Sequence, residues 1–450
     1  MGQFSFRKES VALAVVFTAA IMVLGFIADQ SRFEIILGGY FVAFLTFYFI
    51  WKSALEQDLT FYLGLAILIR LALVFAFPQL SDDVFRFIWD GRLINHGYNP
   101  FHYLPQDIMA EGWAHPWLDE SLFKNLNSQE YHTIYPPVAQ AVFAVSTWMF
   151  PSSVYWSAVV MKIFILLFEI GTLMLIPSLL RMMNFSPKNV LIYALNPLVI
   201  VEVVGNLHFE GVMVFFLLLS IYLLLSTRFY WSAVAMAFSI ASKLLPLLFL
   251  MFFIKRLGWR LAAIYFALIA AVLVILHLPL IDGIFLANFG SSLDLYFQKF
   301  EFNASIYYLL RWLGYIFSGY NLIYYIGPVL ATFTFLGILR ASIKEKEYPM
   351  GKLPLRMLFA ICLYLAFTPT VHPWYAILPL TLCMFTDFRF PVVWSGLITL
   401  TYINYSYDPY FENLLVVGLE YLVVYFWGLM ELKKSNYLPL KKLTHLKFFR

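Results

Sequence analysis

Apolar runs closed by short charged or proline- and glycine-containing breaks repeat along most of the chain. Val11–Ala28, Glu34–Trp51 and Thr60–Pro78 come first, and Val154–Leu180, Leu261–Leu280, Asn321–Leu339 and Pro354–Phe367 follow. About 18 apolar residues suffice for a helix to cross the hydrocarbon core, so the pattern predicts roughly 12–14 crossings. Two runs are irregular. Val138–Phe150 is short for a span, yet Arg181 and Lys188 after the next run read as an inside loop. Either Val138–Phe150 dips in without crossing, or the charge asymmetry fails there. Trp231–Phe253 carries Lys243 and Pro246 at its centre, which predicts two half-length helices hinged at the sequence SKLLP. No internal repeat is evident.

The deepest interruption lies between Leu80 and Pro105, where Asp82, Asp83, Arg86, Asp90 and Arg92 put five formal charges into eleven residues. In a helical reading Asp83, Arg86 and Asp90 are spaced i, i+3 and i+7 and share one face. Phe85 and Trp89 would then face the lipid interface. With Arg7 and Lys8 inside, three crossings place residues 81–137 outside as a long loop. Trp113, Trp117, Tyr131 and Tyr135 suit interfacial helices within it. Ile281–Gly319 forms a second external loop, and Lys344–Lys352 an internal one. The other polar islands are Glu202–Glu210, Lys243, Glu301–Asn303 and His372, all placed toward the same outer face. The chemistry is therefore expected on the extracytoplasmic side of a cell membrane.

Composition agrees with the periodicity: the 450 residues are 62% hydrophobic and 12% charged, with a mean hydropathy of +0.79. No soluble domain is built this way, and the fold class is an all-α polytopic integral membrane protein, one domain over residues 1–450. The first apolar run, behind Arg7 and Lys8, reads as a retained helix because it lacks a small-residue cleavage site. A net charge of +4 requires no nucleic-acid partner. Cys362 and Cys383 both fall in apolar runs and read as free thiols. No phosphate-binding glycine loop, CxxC or HExxH pattern is present, which leaves nucleotide-driven and zinc-protease chemistry without support.

Adjacent carboxylates at a membrane boundary are costly unless water, a cation or a substrate meets them. Asp82 and Asp83 are thus candidates to deprotonate a hydroxyl, the like charge raising one pKa toward neutrality. They are also candidates to hold a divalent cation, Mg or Mn. Arg86 suits a phosphate through its planar fork, or neutralises Asp83 or Asp90. Lys243, with no acidic residue in its own run, suits a phosphate or snorkels to the interface. Glu202, His208 and Glu210, with Asn206, form a second polar group for orienting, metal-binding or acid chemistry. His372 and Trp374, in HPWY, suit an aromatic belt or a platform for a sugar ring. Asp90 joins this set as a substrate contact.

The stretch DVFRFIWDGRLINHGYNPF resembles the acidic first external loop of the GT-C superfamily of membrane glycosyltransferases, in particular bacterial mannosyltransferases using polyprenyl-phosphate sugars. YPPVAQAVFA (Tyr135–Ala144), NPLVIVEVVGNLHFEG (Asn196–Gly211) and SKLLPLLFLMFF (Ser242–Phe253) fit the same pattern, and FNASIYYLL and HPWY fit it more loosely. The resemblance implies a catalytic carboxylate in the first external loop; the D-x-x-R spacing maps it to Asp83, beside Asp82. It implies a polyprenyl-phosphate-linked hexose donor, its tail among membrane lipids and its phosphate near Lys243 and Arg86. It also implies a glycan or lipid-linked acceptor and inversion by a single displacement. Here the loop follows the third span instead of the first, which two added N-terminal helices explain. A secondary transporter or flippase is the competing reading, but its charges should concentrate at mid-membrane with internal repeats.

Overall fold

The computed structural model describes residues 8–112, 117–288, 290, 300–346 and 348–435. Arg7, Trp113 and residues 291–299 of the expected second external loop lie outside the described residues. Everything described is helical or irregular, apart from one isolated parallel bridge between Phe302 and Thr370. The all-α membrane architecture expected from the apolar pattern is the one found.

Among the described residues seven helices are long and apolar enough to cross a bilayer unaided. They are Glu9–Phe26, Phe33–Ser53, Val154–Met182, Trp259–His277, Ile323–Lys344, Met350–Phe367 and Leu414–Lys434. A further apolar pair, Pro187–Ala194 and Pro197–Gly205, meets at 51° and forms a broken span or a re-entrant loop. Pro197 has no N–H to continue the helix, and the Asn196 side chain caps the new start by accepting from the Leu198 amide at 3.0 Å. The other segments counted from the sequence as crossings are short or broken. Trp231–Phe253 breaks as expected: a helix ends at Ser242, Lys243 is extended, and a 3-10 turn resumes at Leu245. Val138–Phe150 becomes a thirteen-residue helix, Pro137–Met149. At 1.5 Å per residue it reaches about 20 Å, against about 30 Å of hydrocarbon. That is too short to cross unaided.

Its partner is Asp83–Asn95, also thirteen residues. The two pack closely because Gly91 has no side chain: a Cβ there would stand 2.4 Å from the Phe143 carbonyl oxygen. Asn95 reinforces the pair by donating to the Ala144 carbonyl and the Thr147 hydroxyl. This pairing overturns one expectation. Trp89 faces no lipid but is fully buried, and Phe85 is half-buried. The helix is enclosed by Pro137–Met149 on one side, with Phe123 from the short helix Glu120–Lys124 against Trp89. Tyr135 likewise packs inward, edge-on to Phe87 with ring centres 4.8 Å apart.

Charges inside the bundle are closed on one another. Arg70 and Glu169, both without exposure, pair at 2.9 Å, and the Tyr193 hydroxyl donates to the same carboxylate at 2.5 Å. A bare buried charge costs several kcal/mol, so each member requires the other. Gly211 lets Glu169 sit there, since a Cβ would lie 2.9 Å from its Oε1. Lys162, buried in the middle of Val154–Met182, donates to the carbonyls of Leu73, Ala76 and Gly205. It ties the end of the helix Leu59–Leu73, which leads into the Asp82–Asp83 loop, to the end of the bent pair.

Candidate active site

Between the Asp82–Asp83 loop and residues 300–302 and 372–375 lies a cavity of about 340 Å³. Its walls include Asp82, Asp83, Arg86, Lys243, His372 and Trp374 from the sequence-predicted set. Asp90, Glu202, His208 and Glu210 stand behind those walls.

Asp82 immediately precedes the helix that Asp83 begins, its side chain making no capping hydrogen bond. Partial burial, reinforced by the like charges of Asp83 and Asp29, holds the Asp82 carboxyl above its ordinary range. Asp83 accepts from Asn127 Nδ2 at 2.9 Å through Oδ1. Arg86, one turn on, is largely committed. Its Nε donates to Asp90 at 2.8 Å, and its Nη1 to the carbonyls of Ser128 and Tyr131 at 3.1 and 2.7 Å. Nη2 alone is buried without a partner among the described residues. Asp90 is also held by Gln140, at 3.0 Å. The shared helix face is thus real, but its deeper end anchors Arg86 and the 128–131 strap.

Lys243 enters from the helix break, its Nζ 5.2 Å from the centre of the Tyr375 ring. It forms an ion pair with Glu210 at the start of Glu210–Leu225, a carboxylate with no exposure whose Oε2 lacks a partner among the described residues. The remaining wall is a column of rings. Phe302 stacks on His372 at 4.9 Å, His372 on Trp374 at 4.5 Å, and Trp374 on His208 at 3.8 Å. Behind His208 lies Glu202, which accepts from the hydroxyls of Tyr402 and Tyr40 at 2.6 and 3.1 Å. Leu207, at φ +66°, holds the turn that aims His208; a non-glycine residue adopts that conformation only under strong surrounding constraint. Asn206 fastens this turn to the acidic loop by accepting from the Leu80 amide at 3.2 Å. Burial pushes the His372 imidazole down to about 3, so the ring is neutral at physiological pH.

The polar island Gly205–Gly211 is buried within the protein, behind the cavity wall. Trp374 is a wall of the cavity and no belt residue, at 8% exposure. Other lining residues, among them Asn127, His132, Phe300, Glu301, Phe302 and Tyr405, were not anticipated as site residues. Lys162 was missed as well, although a lysine in the middle of an apolar run was signal enough.

The arrangement can take a proton at a carboxylate, meet an anion at the partly exposed Lys243, and set a ligand against an apolar wall of ring edges. For the divalent cation expected at Asp82 and Asp83, no group of three or more His, Cys, Asp or Glu among the described residues is placed to hold a metal ion. No step below is routed through one.

Residues 8–259 match the family model described as alpha-(1->6)-mannopyranosyltransferase, N-terminal domain. No match was found among curated proteins. The matched stretch carries Asp82, Asp83, Arg86, Glu202, His208, Glu210 and Lys243, while the ring wall from Phe300 onward lies beyond it. Covering more than half of the 450 residues, and joined to a membrane-spanning helical bundle whose acidic loop opens on this cavity, the match places the chain in the MptA_B family, a GT-C type mannosyltransferase family.

Proposed function

We propose that this protein moves a mannosyl residue from a polyprenyl-phosphate donor to an extracytoplasmic glycan or lipid-linked acceptor, with Asp83 as general base. The observation that carries the reading is the joint presence, in one cavity of a membrane-embedded chain, of a helix-starting carboxylate, two cations and an aromatic wall. Among the described residues, Asp83 Oδ2 carries no hydrogen bond, which leaves it for a substrate hydroxyl. In the proposed reaction Asp83 takes the proton from an acceptor hydroxyl as its oxygen attacks the anomeric carbon. The bond from that carbon to the phosphate oxygen breaks on the opposite face, and the polyprenyl phosphate leaves with the electron pair. Lys243 receives the charge that develops there, with Arg86 adding its own charge from the cavity wall; electrostatic stabilisation of this kind is often the largest single contribution. Phosphate is already a competent leaving group, so no strong acid is required.

A single displacement inverts the sugar carbon. If the product is alpha-(1->6), as the family description reads, the donor is beta-linked. Trp374 and His372, their faces taken up within the ring column, supply an apolar edge for the sugar ring, the neutral imidazole adding no charge. Asp82, its carboxyl raised, tunes its neighbour. Asp90 holds Arg86, Glu210 holds Lys243, and Glu202 with His208 holds Trp374 from behind. The mid-membrane charges that a transporter would use are closed on each other in Arg70–Glu169 and on backbone in Lys162.

The test is donor choice. Purified protein in lipid nanodiscs, given polyprenyl-phosphate mannose and an oligomannoside, should consume the donor and extend the glycan. Extension from a nucleotide-linked mannose, with the polyprenyl donor untouched, would refute the proposal.

A further inference from the structure

The wall beyond the family match has its own architecture. Phe300, Glu301 and Phe302 form one edge of the cavity, and three separate elements fix this edge. The Phe302 amide donates to the Pro369 carbonyl at 3.1 Å, and the Val371 amide returns to the Phe302 carbonyl at 2.8 Å. Asn303, at φ +47°, donates through its backbone amide to Glu412 at 2.6 Å, and its carbonyl accepts from the Tyr421 hydroxyl at 2.7 Å. The buried Asn303 amide group also donates to Glu420, at 3.2 Å. Such investment in an edge of irregular chain would be out of proportion for a mere connector.

What the edge presents is one carboxylate among rings. Glu301 Oε1 accepts from Arg311, and Oε2 accepts from the Tyr307 hydroxyl at 2.7 Å and from Asn321 Nδ2 at 3.2 Å. Arg311 in turn lies over the Tyr308 ring at 4.2 Å. A carboxylate has about four acceptor sites. Three are taken, so one on Oε1 remains, and 25% of the side chain is exposed. The carboxylate is therefore fixed in orientation, partly open and one hydrogen bond short. Next to it stands the Phe302–His372–Trp374 stack. A fixed acceptor beside a wall of apolar ring edges matches a pyranose, which offers a hydroxyl at its rim and an apolar C–H surface to pack against that wall.

We propose that Glu301 is the acceptor-sugar clamp: it accepts a hydrogen bond from one hydroxyl of the acceptor's terminal hexose while that ring packs against the Phe302–His372–Trp374 wall. This rests on the glycosyltransferase reading above and adds to it which residue selects the acceptor. The reacting groups Asp83, Arg86 and Lys243 sit within the family match, residues 8–259, and the selecting group beyond it.

The experiment pairs one residue with one hydroxyl. Binding of mannobiose and of its monodeoxy analogues is followed by tryptophan fluorescence in nanodiscs, for the unaltered protein and for Glu301→Gln. Turnover with polyprenyl-phosphate mannose is measured in parallel. A hydrogen bond to a charged group predicts that Glu301→Gln weakens mannobiose binding, and raises acceptor KM, about 10–100-fold, with donor KM unchanged. One deoxy analogue should bind the unaltered protein as weakly as mannobiose binds the variant, and the variant should not distinguish the two. A purely structural Glu301 would lower all ligands alike, and that result, or retained discrimination in the variant, overturns the clamp. Should Glu301→Gln fail to fold, Glu301→Asp keeps the charge while withdrawing it by one methylene. Loss of the same deoxy discrimination supports the clamp there, and its persistence overturns it. Sugar binding with no use of the polyprenyl donor would leave the clamp standing and defeat the donor reading instead.

Discussion

Replacing Lys243 with methionine tests two roles at once, because the lysine stands between a buried carboxylate and the cavity. Glu210 has no exposure and Lys243 as its ion-pair partner, with Oε2 already unpartnered. Removing one member of such a pair costs about 3–5 kcal/mol, most of it the charge left behind. At about 2.1 cal/mol/K of unfolding entropy per residue, that lowers the melting temperature of a chain of this length by about 3–5 °C. The shift is larger if helices persist in the unfolded membrane state, since the entropy is then smaller. Lys243→Met should therefore melt early and also lose donor binding. Lys243→Met with Glu210→Gln removes the stranded charge and should regain most of the melting temperature without regaining the donor. Glu210→Gln alone should keep the donor, the lysine being freed from its counter-ion. Thermal unfolding in detergent, run beside binding of polyprenyl-phosphate mannose, reads both. A single Lys243→Met that melts like the unaltered protein would refute the counter-ion argument. A double variant that binds donor normally would remove Lys243 from the phosphate.

Asp83→Asn preserves shape but cannot accept a proton, and should cut turnover at least about 100-fold with donor binding intact; near-normal turnover there, with loss in Asp82→Asn, would move the base one residue back. Cysteine placed at the exposed Lys124 should react with a membrane-impermeant reagent in intact cells, and cysteine at the exposed Lys346 should not; the reverse would invert the topology. His372 ordinarily titrates at 6.5 but in the folded chain at about 3. The unfolded chain thus binds a proton that the folded one refuses, and stability should fall as pH drops from about 6.5 to about 3. His372→Gln should flatten that limb of the thermal-stability curve, and an unchanged slope would count against a buried neutral imidazole.

Local periodicity revealed what is local. The acidic loop, the break at Ser242–Leu245 and the polar island before Glu210 are interruptions of apolar runs, visible without knowing what they touch. Trp89 was misplaced because a helix face carries no mark that says whether lipid or protein covers it; the close approach at Gly91 decides that. Asp90 shares its face with Asp83, yet face-sharing does not say how far the cavity reaches down the helix. The ring column was out of reach for a different reason. Phe302, His372, Trp374 and His208 come from three distant stretches, and the Asn303–Glu420 bond that braces them spans 117 positions. Nothing in either neighbourhood encodes the meeting. Glu301 read as one charge in a loop, since its value lies in the three donors that aim it.

The helix Ile306–Ser318 has two unlike sides. Tyr307, Tyr308 and Arg311 grip Glu301 and Glu412, while Leu309, Trp312, Leu313, Ile316 and Phe317 are exposed. Residues so apolar settle at the depth where acyl chains meet headgroups. The helix is therefore a float tied to a wall of the cavity. Bilayers of different thickness, or a detergent collar in their place, set that float at different heights. A helix held so would couple the cavity edge that it grips to the surrounding lipid.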